Sequence, residues 1–254
     1  IIVFTSEFFD CHEFCEKPGL LNDGKVIFQS DTYIYVSHQS ISNTNIQSHY
    51  YHYSQLIRRN QASPIVSENF EKLDIDKKID LKFPFTFYGA DIDTFSVGTD
   101  GKIDLVGPWN LALIHHTITG NVQCETEILD KVFFFADDTI KAMHLIHSNG
   151  KIYFYYENIP RGLKKGDVVS GIGYYIRCGQ VYRGPSVNVP DEWINSGTLV
   201  EHEDLGDCSN YNSIEACLGG TTSNTTCIWC GKANICITRN DNDAHIFEVN
   251  GCQM

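Results

Sequence analysis

The segment FSVGTDGKIDL, residues 95–105, contains the clearest fold signal in the chain. Apolar and polar residues alternate on both sides of its centre, and this period of two is typical of a half-buried strand. Asp100-Gly101 lies between the two alternating runs, where an Asp-Gly pair is the strongest short-range signal for a hairpin. The segment therefore predicts two antiparallel strands joined by a tight turn.

Further strand-like runs surround this hairpin. They are Leu73–Phe87, Val122–Leu129, Lys131–Phe135, Ile140–His147, Lys151–Glu157 and Gly171–Ile176. Turn chemistry separates them, for example at Thr119-Gly120-Asn121 and Ser148-Asn149-Gly150. Closely spaced strands of this kind predict a mainly β body, built as an antiparallel β-sandwich, with a barrel as the alternative.

Two other local features complete the prediction of elements. Asn212-Ser213-Ile214-Glu215 predicts a helix start with Asn212 as the N-cap and Glu215 at the third helical position, and Gly219-Gly220 follows as a stop, so a short helix is expected there. Gly184–Pro190 is expected to be a loop.

Composition and charge exclude several classes of protein. The chain has 254 residues, of which 42% are hydrophobic, and it contains no apolar stretch of the ~18 residues that a membrane helix needs. Its formal net charge is -13, and no basic cluster is larger than Arg58-Arg59 or Lys164-Lys165. Nucleic acids and anionic membrane surfaces attract basic faces, so neither is an expected partner.

The cysteines divide the chain near Cys208. Ten are present, and six of them, from Cys208 onward, are crowded into the last 47 residues. That density is typical of a small module that depends on disulfides, and it predicts an oxidising compartment, outside the cell. The expected organisation is an N-terminal segment packed on the body (1–65), a β body (66–207) and a cysteine-rich module (208–254). A glycosylation sequon, Asn224-Thr225-Thr226, lies in the module, and we expect Asn224 to carry a glycan.

Four cysteines remain in the rest of the chain. Cys124 and Cys178 fall in or beside strand-like runs, and neighbouring strands can bring two Cα atoms within bonding range, so a Cys124–Cys178 bond is expected. Cys11 and Cys15 are expected to close a local loop. In the alternative, Cys11 or Cys15 bonds to Cys124 or Cys178, and unbonded buried thiols are a further possibility.

The sequence favours disulfide bonds over metal sites. Cys227-x-x-Cys230 and Cys11-His12-x-x-Cys15 each resemble half of a zinc site, but neither has a second pair at ligand spacing. Asp91 and Asp93 share one strand face and could hold calcium, yet the glycine and distal glutamate of an EF-hand are missing. His144 and His147 point to opposite faces of a strand and could not chelate together. No metal or cofactor is expected.

Sequence motifs of catalysis are also missing. The chain has no Gly-x-Ser-x-Gly, P-loop, GxGxxG or HExxH motif, and nothing singles out a glycosidase-like pair among its many carboxylates. The expectation is a protein that is not an enzyme, with an extracellular hydrolase as the least favoured alternative.

The module resembles a known family. Its spacing is Cys208-x8-Cys217-x9-Cys227-Ile228-Trp229-Cys230-x5-Cys236-x15-Cys252. This is similar to the PSI module of plexins, semaphorins and integrins, whose hallmark is Cys-x-Trp-Cys. The family usually has one more cysteine, where this chain has Ile214.

The body resembles the nidogen-like region of plexin domain-containing proteins (tumour endothelial marker 7-like). The similar stretches are LKFPFTFYG (residues 81–89), FSVGTDGKI (95–103), LIHSNGKIYFYYENIP (145–160) and NGC (250–252). Together they cover roughly residues 70–254 and keep the domain order.

The resemblance implies bonds and a function that the residues alone leave open. Six cysteines allow 15 pairings, and the PSI resemblance implies Cys208–Cys227, Cys217–Cys236 and Cys230–Cys252, with Trp229 packed beside them. It also implies a receptor or adhesion ectodomain of a type I membrane protein, which binds matrix components of the nidogen type or a secreted serpin-like factor. The alternative is a secreted matrix or host-interaction protein without an anchor. The ligand-binding residues are not implied.

Overall fold

The structure of the chain is a computed structural model, and it is described over part of the sequence. The described residues are 23–44, 47–64, 71–73, 76–87, 90–98, 102–106, 110–118, 125–129, 132–136, 140–147, 150–162, 167–178, 181–183, 186–221, 226–238 and 250–252. They contain the strands β1 (Asp23–Gln29), β2 (Tyr33–Thr44), β3 (Gln47–Arg58), β4 (Glu71–Leu73), β5 (Lys77–Phe87), β6 (Ala90–Val97), β7 (Lys102–Val106), β8 (Asn110–Ile118), β9 (Glu125–Leu129), β10 (Val132–Ala136), β11 (Lys141–Ile146), β12 (Ile152–Asn158), β13 (Val168–Cys178), β14 (Val181–Arg183), β15 (Ser186–Asn188), β16 (Thr198–Asp204), β17 (Cys227–Cys230) and β18 (Ile235–Thr238). The helical elements within these ranges are α1 (Ile214–Gly219) and two 3₁₀ turns, Asp191–Trp193 and Asp207–Asn210, and Asn250 is also helical.

Sixteen of these strands form two antiparallel sheets. The nine-stranded sheet has the order β1-β2-β3-β16-β12-β11-β10-β9-β4, and the seven-stranded sheet has the order β14-β13-β8-β7-β6-β5 with β15 paired to β13. β17 and β18 form a separate hairpin in the cysteine-rich module. The prediction of a mainly β, antiparallel protein is confirmed for the described residues.

The two sheets share one hydrophobic core. Ile57, Phe154 and Val200 contribute to it from the nine-stranded sheet, and Phe95 and Ile103 from the seven-stranded sheet. All five side chains are fully buried. Because burial of one large apolar side chain is worth about 1.5–3 kcal/mol, this shared core is the main attraction between the sheets.

The predicted hairpin is present. β6 and β7 pair antiparallel with Phe95 opposite Leu105 and Val97 opposite Ile103. Gly98 N donates to Lys102 O at 2.8 Å, which closes the ladder next to the turn. Phe95, Val97 and Ile103 are the buried residues of the alternating pattern, as the sequence predicts.

The N-terminal segment forms part of the larger sheet. β2 and β3 pair along their full length, and β3 pairs with β16, with Ile57 opposite Val200. Ile34, Val36 and Tyr53 alternate with polar neighbours and face the core. In residues 23–58 the chain is therefore an integral layer of the body.

Two local predictions need correction. The expected loop Gly184–Pro190 contains a strand, β15, because Gly171 in β13 lacks a side chain and lets the backbone of Val187 and Asn188 pair closely. The predicted helix is present, but its cap is Ser213, whose hydroxyl accepts from Ala216 N at 3.2 Å. Glu215 therefore occupies the second helical position.

Candidate functional site: the cysteine-rich module

Three disulfide bonds hold the cysteine-rich module. They join Cys208 to Cys227, Cys217 to Cys236 and Cys230 to Cys252, with Cα–Cα distances of 5.4, 5.6 and 5.8 Å. These are the three pairs that the PSI resemblance implies. Bonds that close loops in so short a segment restrict the unfolded chain, which is how a module with a small core becomes stable.

The geometry of β17 explains why Cys227 and Cys230 do not bond to each other or form half of a metal site. They are the first and last residues of the strand, three positions apart, so their side chains point to opposite faces. Cys227 bonds on one side to Cys208, and Cys230 bonds on the other to Cys252. The sulfur atoms of both Cys227 and Cys230 are therefore in disulfide bonds.

The bridges and two aromatic side chains form the interior of the module. Cys208, Cys217, Cys227 and Cys236 are buried together, and Tyr211 and Trp229 pack against them. The ring of Tyr211 occupies the space that a side chain at position 220 would need, so Gly220 is required there. The predicted packing of Trp229 beside the bridges is confirmed.

The module lies directly on the nine-stranded sheet. Leu56 of β3 is buried against Cys230 and Ile237, with Ile228 and Ile235 beside them. Gly206 joins β16 to the first turn of the module. Its φ of 64° favours glycine, and its N–H donates to Asp204 Oδ1 at 2.8 Å.

A side-chain hydrogen bond ties the module to the body. Thr238 Oγ1, at the end of β18, donates to Leu205 O at 3.1 Å. Leu205 itself is buried. The module thus follows β16 closely, and its orientation is fixed by an apolar contact and by this hydrogen bond.

The outer face of α1 is the most apolar exposed surface in the described part of the chain. Ile214 and Leu218, four residues apart on the same side of the helix, are 47% and 58% exposed. Glu215 is exposed beside them, and Cys217 faces inward. We call Ile214, Glu215 and Leu218 the outer helix face.

The segment that contains the sequon follows this helix in the chain. Thr221 Oγ1 accepts from Cys227 N at 3.1 Å, which brings the two ends of the loop together. Thr221 and Thr226 are exposed. Asn224 lies outside the described residues.

The other predicted site residues can be placed only in part. Cys11, Cys15 and Cys124 lie outside the described residues, and Cys178 is the last residue of β13, where only its backbone is described. The expected bonds between these four cysteines therefore stay predictions.

The residues considered for metal binding are spread apart. Asp91 and Asp93 are exposed on β6 on either side of buried Ile92. His144 is buried in the core and stacks on Phe154, whereas the ring of His147 contacts Tyr153 at a tilted angle on the other face of the sheet. No group of three potential metal ligands occurs among the residues that the structure describes.

Polar side chains missed by sequence reasoning occupy both faces of the nine-stranded sheet. On the face away from the core, Arg58 pairs with Glu201, and Lys151 Nζ lies 3.5 Å from Glu203 Oε2. On the core face, burial raises the pKa of Tyr156. Tyr156 is therefore a neutral phenol inside the core.

Comparisons with known proteins found none that is similar to this chain. Within the described ranges no helix has the length and hydrophobicity of a membrane span. No protein-family model, no curated protein and no solved structure matches this chain.

Proposed function

We propose that the chain is the extracellular portion of a cell-surface receptor or adhesion protein, which binds a secreted or matrix protein and is not an enzyme. In this proposal residues 66–207 are a nidogen-like β-sandwich and residues 208–254 a PSI module. The alternative is a secreted matrix or host-interaction protein without a membrane anchor.

The observation that carries the proposal is the disulfide-bonded module attached to the sheet. Three bonds between residues 208 and 252 require an oxidising compartment, which for most proteins is outside the cell. A module that is fixed by Leu56 and Thr238 presents its outer surface in one orientation. A rigid exposed surface favours binding, because less conformational entropy is lost on association.

The outer helix face is the proposed contact surface. Exposed aliphatic side chains grouped on one side of a helix are common at protein interfaces. Glu215 lies beside them, and the whole chain carries a net charge of -13. The fitting partner is an extracellular protein with an apolar patch bordered by basic side chains.

A glycan on Asn224 agrees with this placement outside the cell. The hydrogen bond between Thr221 and Cys227 joins the two ends of the segment that contains Asn224. Thr221 and Thr226, on either side of that segment, are exposed. Production in a secreting eukaryotic cell should give a mass excess that peptide N-glycosidase removes. An unmodified Asn224 would contradict this part of the proposal.

Direct binding tests the function. The oxidised chain is immobilised and exposed to a panel of purified matrix and secreted proteins, including nidogen-type components and a serpin-like factor. We expect saturable binding to at least one, weakened about tenfold or more by Leu218→Asp, because a buried charge opposes an apolar contact. Val26→Asp, at an aliphatic residue of β1 that is 52% exposed, is the matched control and should bind normally.

Absence of binding across the panel, together with turnover of generic esterase, glycosidase or peptidase substrates, would overturn the proposal in favour of the hydrolase. Fractionation of the full-length gene product separates the two binding classes. A receptor stays with the membrane pellet after carbonate extraction, and a secreted protein is recovered from the medium.

A further inference from the structure

The connection between β12 and β13 joins one sheet to the other and carries an exposed arginine. β12 belongs to the nine-stranded sheet and β13 to the seven-stranded sheet. β12 ends at Asn158, and the next residues are Ile159, which is half-buried against the core, and Pro160. Arg161 and Gly162 follow as an exposed turn. The described part of this connection therefore places a basic side chain and the peptide bond after it at the surface.

The backbone of Arg161 is more accessible than that of the other described arginines. The chain has six arginines, and three of them lie in paired strands: Arg58, Arg177 and Arg183. Arg59 N donates to Thr32 O at 2.8 Å, and Arg239 lies outside the described residues. A protease holds its substrate in an extended form, so a bond inside a sheet is cleaved only after local unfolding. Of the arginines that the structure describes, Arg161 is the one whose peptide bond an intact fold offers to a protease.

The residues on either side suit cleavage after this arginine. Trypsin-like serine proteases bind an arginine side chain through a carboxylate at the base of a pocket. Pro160 has a fixed φ and keeps Ile159 out of the helical region, so the residues before Arg161 are already restricted to extended backbone. Gly162 has a φ of 94°, and no described atom lies within 4 Å of a Cβ added there. The far side of the bond therefore has room for the protease.

Ser196 holds the backbone just before this bond. Its hydroxyl accepts from Ile159 N at 2.7 Å and donates to Ile159 O at 3.2 Å. The next residue, Gly197, donates from its N–H to Tyr156 O at 2.7 Å, which fixes the serine beside the end of β12. A protein that binds an extended segment forms hydrogen bonds with its main chain. A protease must therefore compete with Ser196 for the backbone groups of Ile159.

We propose that the Arg161–Gly162 bond is a processing site for an extracellular arginine-specific serine protease, and that Ser196 slows the cleavage. This inference rests on the proposed placement of the chain outside the cell. The protease serine attacks the carbonyl carbon of Arg161, its proton passes to the amine of Gly162, and that amine leaves. Water then hydrolyses the acyl-enzyme ester. The products are a carboxylate on Arg161 and a new amino terminus on Gly162.

Cleavage should give a two-chain protein and not two separate fragments. Residues 1–161 contain β3, β8 and β12, and residues 162–254 contain β13, β16 and the cysteine-rich module. β16 lies between β3 and β12, and β13 pairs with β8 from Val168 to Ile176. Phe154 from the first fragment and Val200 from the second are buried in the same core. Cleavage thus opens the connection between the sheets, while the module stays on the body.

Limited proteolysis of the folded, oxidised chain tests the site. The protease is purified thrombin, an extracellular serine protease selective for arginine, and the products are identified by mass spectrometry. We expect residues 1–161 and 162–254 as the first products, which elute together in gel filtration without denaturant. Arg161→Gln should remove this cleavage and leave the Tm unchanged. A first cleavage at another arginine, Arg239 included, or a chain that stays intact while a reference substrate is cleaved, would overturn the proposal.

Two variants of Ser196 test its effect on the rate. Ser196→Ala should raise the rate of cleavage about three- to tenfold, because it removes the hydrogen bonds that hold Ile159. Ser196→Thr keeps a hydroxyl and is the matched control, with a rate close to that of the wild type. Equal rates for the two variants would refute this role of Ser196.

The result is separate from that of the binding panel. A chain that is cleaved at Arg161 but binds no panel protein refutes only the proposed function. A chain that binds a panel protein but resists cleavage refutes only the processing site.

Discussion

Gly171 is the residue whose missing side chain lets two strands pair. It lies opposite Asn188 in the β13–β15 pair. A Cβ atom at this position would be 2.5 Å from Val187 O and 2.7 Å from Asn188 Oδ1, distances at which the backbone must move. Since the backbone oxygen of Asn188 also accepts a hydrogen bond from the Gln55 side chain of β3, this pairing affects contact between the sheets.

Gly171→Ala is expected to lower the free energy of unfolding by about 1–3 kcal/mol, the usual cost of forcing extra volume into a packed site. Gly219→Ala is the matched control, because no atom lies within 4 Å of its added Cβ. At the end of α1 it should change stability by less than about 0.5 kcal/mol. Urea unfolding measures both, and similar losses for the two variants would contradict this role of Gly171.

Arg59 connects three parts of the body. Its guanidinium lies 4.1 Å from the ring centroid of Trp193, Nη2 donates to Glu192 O at 2.9 Å, and Nη1 donates to Asp31 O at 3.2 Å. Arg59→Ala should therefore cost about 1–2 kcal/mol, from the lost ring contact and hydrogen bonds. Exposed Arg161→Ala should cost less than about 0.5 kcal/mol. Denaturant unfolding followed by tryptophan fluorescence compares them, and equal midpoints would refute this role.

At the scale of residues, the sequence predicts the packing of Trp229 but not the buried contacts of Gln55 with Asn188 and His202. The Cys-x-Trp-Cys motif marks the tryptophan, whereas Gln55 and His202 look like ordinary polar residues of exposed faces. The sequence does contain one signal, because side chains alternate between the faces of a strand. Tyr53 and Ile57, two residues before and after Gln55, are core residues. This alternation places Gln55 on the core face, but only the three-dimensional structure shows which groups its side chain contacts.

At the scale of elements, alternation predicts strands where one face is apolar and the other polar. The hairpin of β6 and β7 has this pattern and is present. The predicted strands β11 and β12 are also present, although both bury apolar side chains on both faces. β16 was missed because it carries polar residues on both faces, with His202 inward and Glu201 outward. β8 was missed because its run Leu111–Ile114 is apolar throughout and lacks alternation.

Leu56 is the contact between a strand of the body and the module. Leu56→Ala should lower the free energy of unfolding by about 2–4 kcal/mol, because it leaves a cavity against Cys230 and Ile237. Hydrogen exchange should show the larger loss of protection in residues 226–238. Leu218→Ala, on the exposed face of α1, should change neither quantity measurably. A uniform loss of protection, or none in the module, would contradict a fixed attachment.

At the scale of the whole molecule, the order of strands is the part that local sequence cannot give. β3 pairs with β16, its neighbour in the sheet although more than a hundred residues separate them along the chain. Nothing in either strand marks the other as its partner, since that choice depends on the shared core. The cysteine density, in contrast, predicts the separate module directly, because a segment with so few core residues needs covalent bonds.

The pairing of the module cysteines is the central claim, because both the rigid module and the extracellular assignment rest on it. The measurement is proteolysis of the secreted, unreduced protein with thiols blocked, followed by mass spectrometry of the linked peptides. The structure predicts Cys208–Cys227, Cys217–Cys236 and Cys230–Cys252 as the only links among these six. A bond between Cys227 and Cys230, or alkylation of these cysteines without prior reduction, would contradict it.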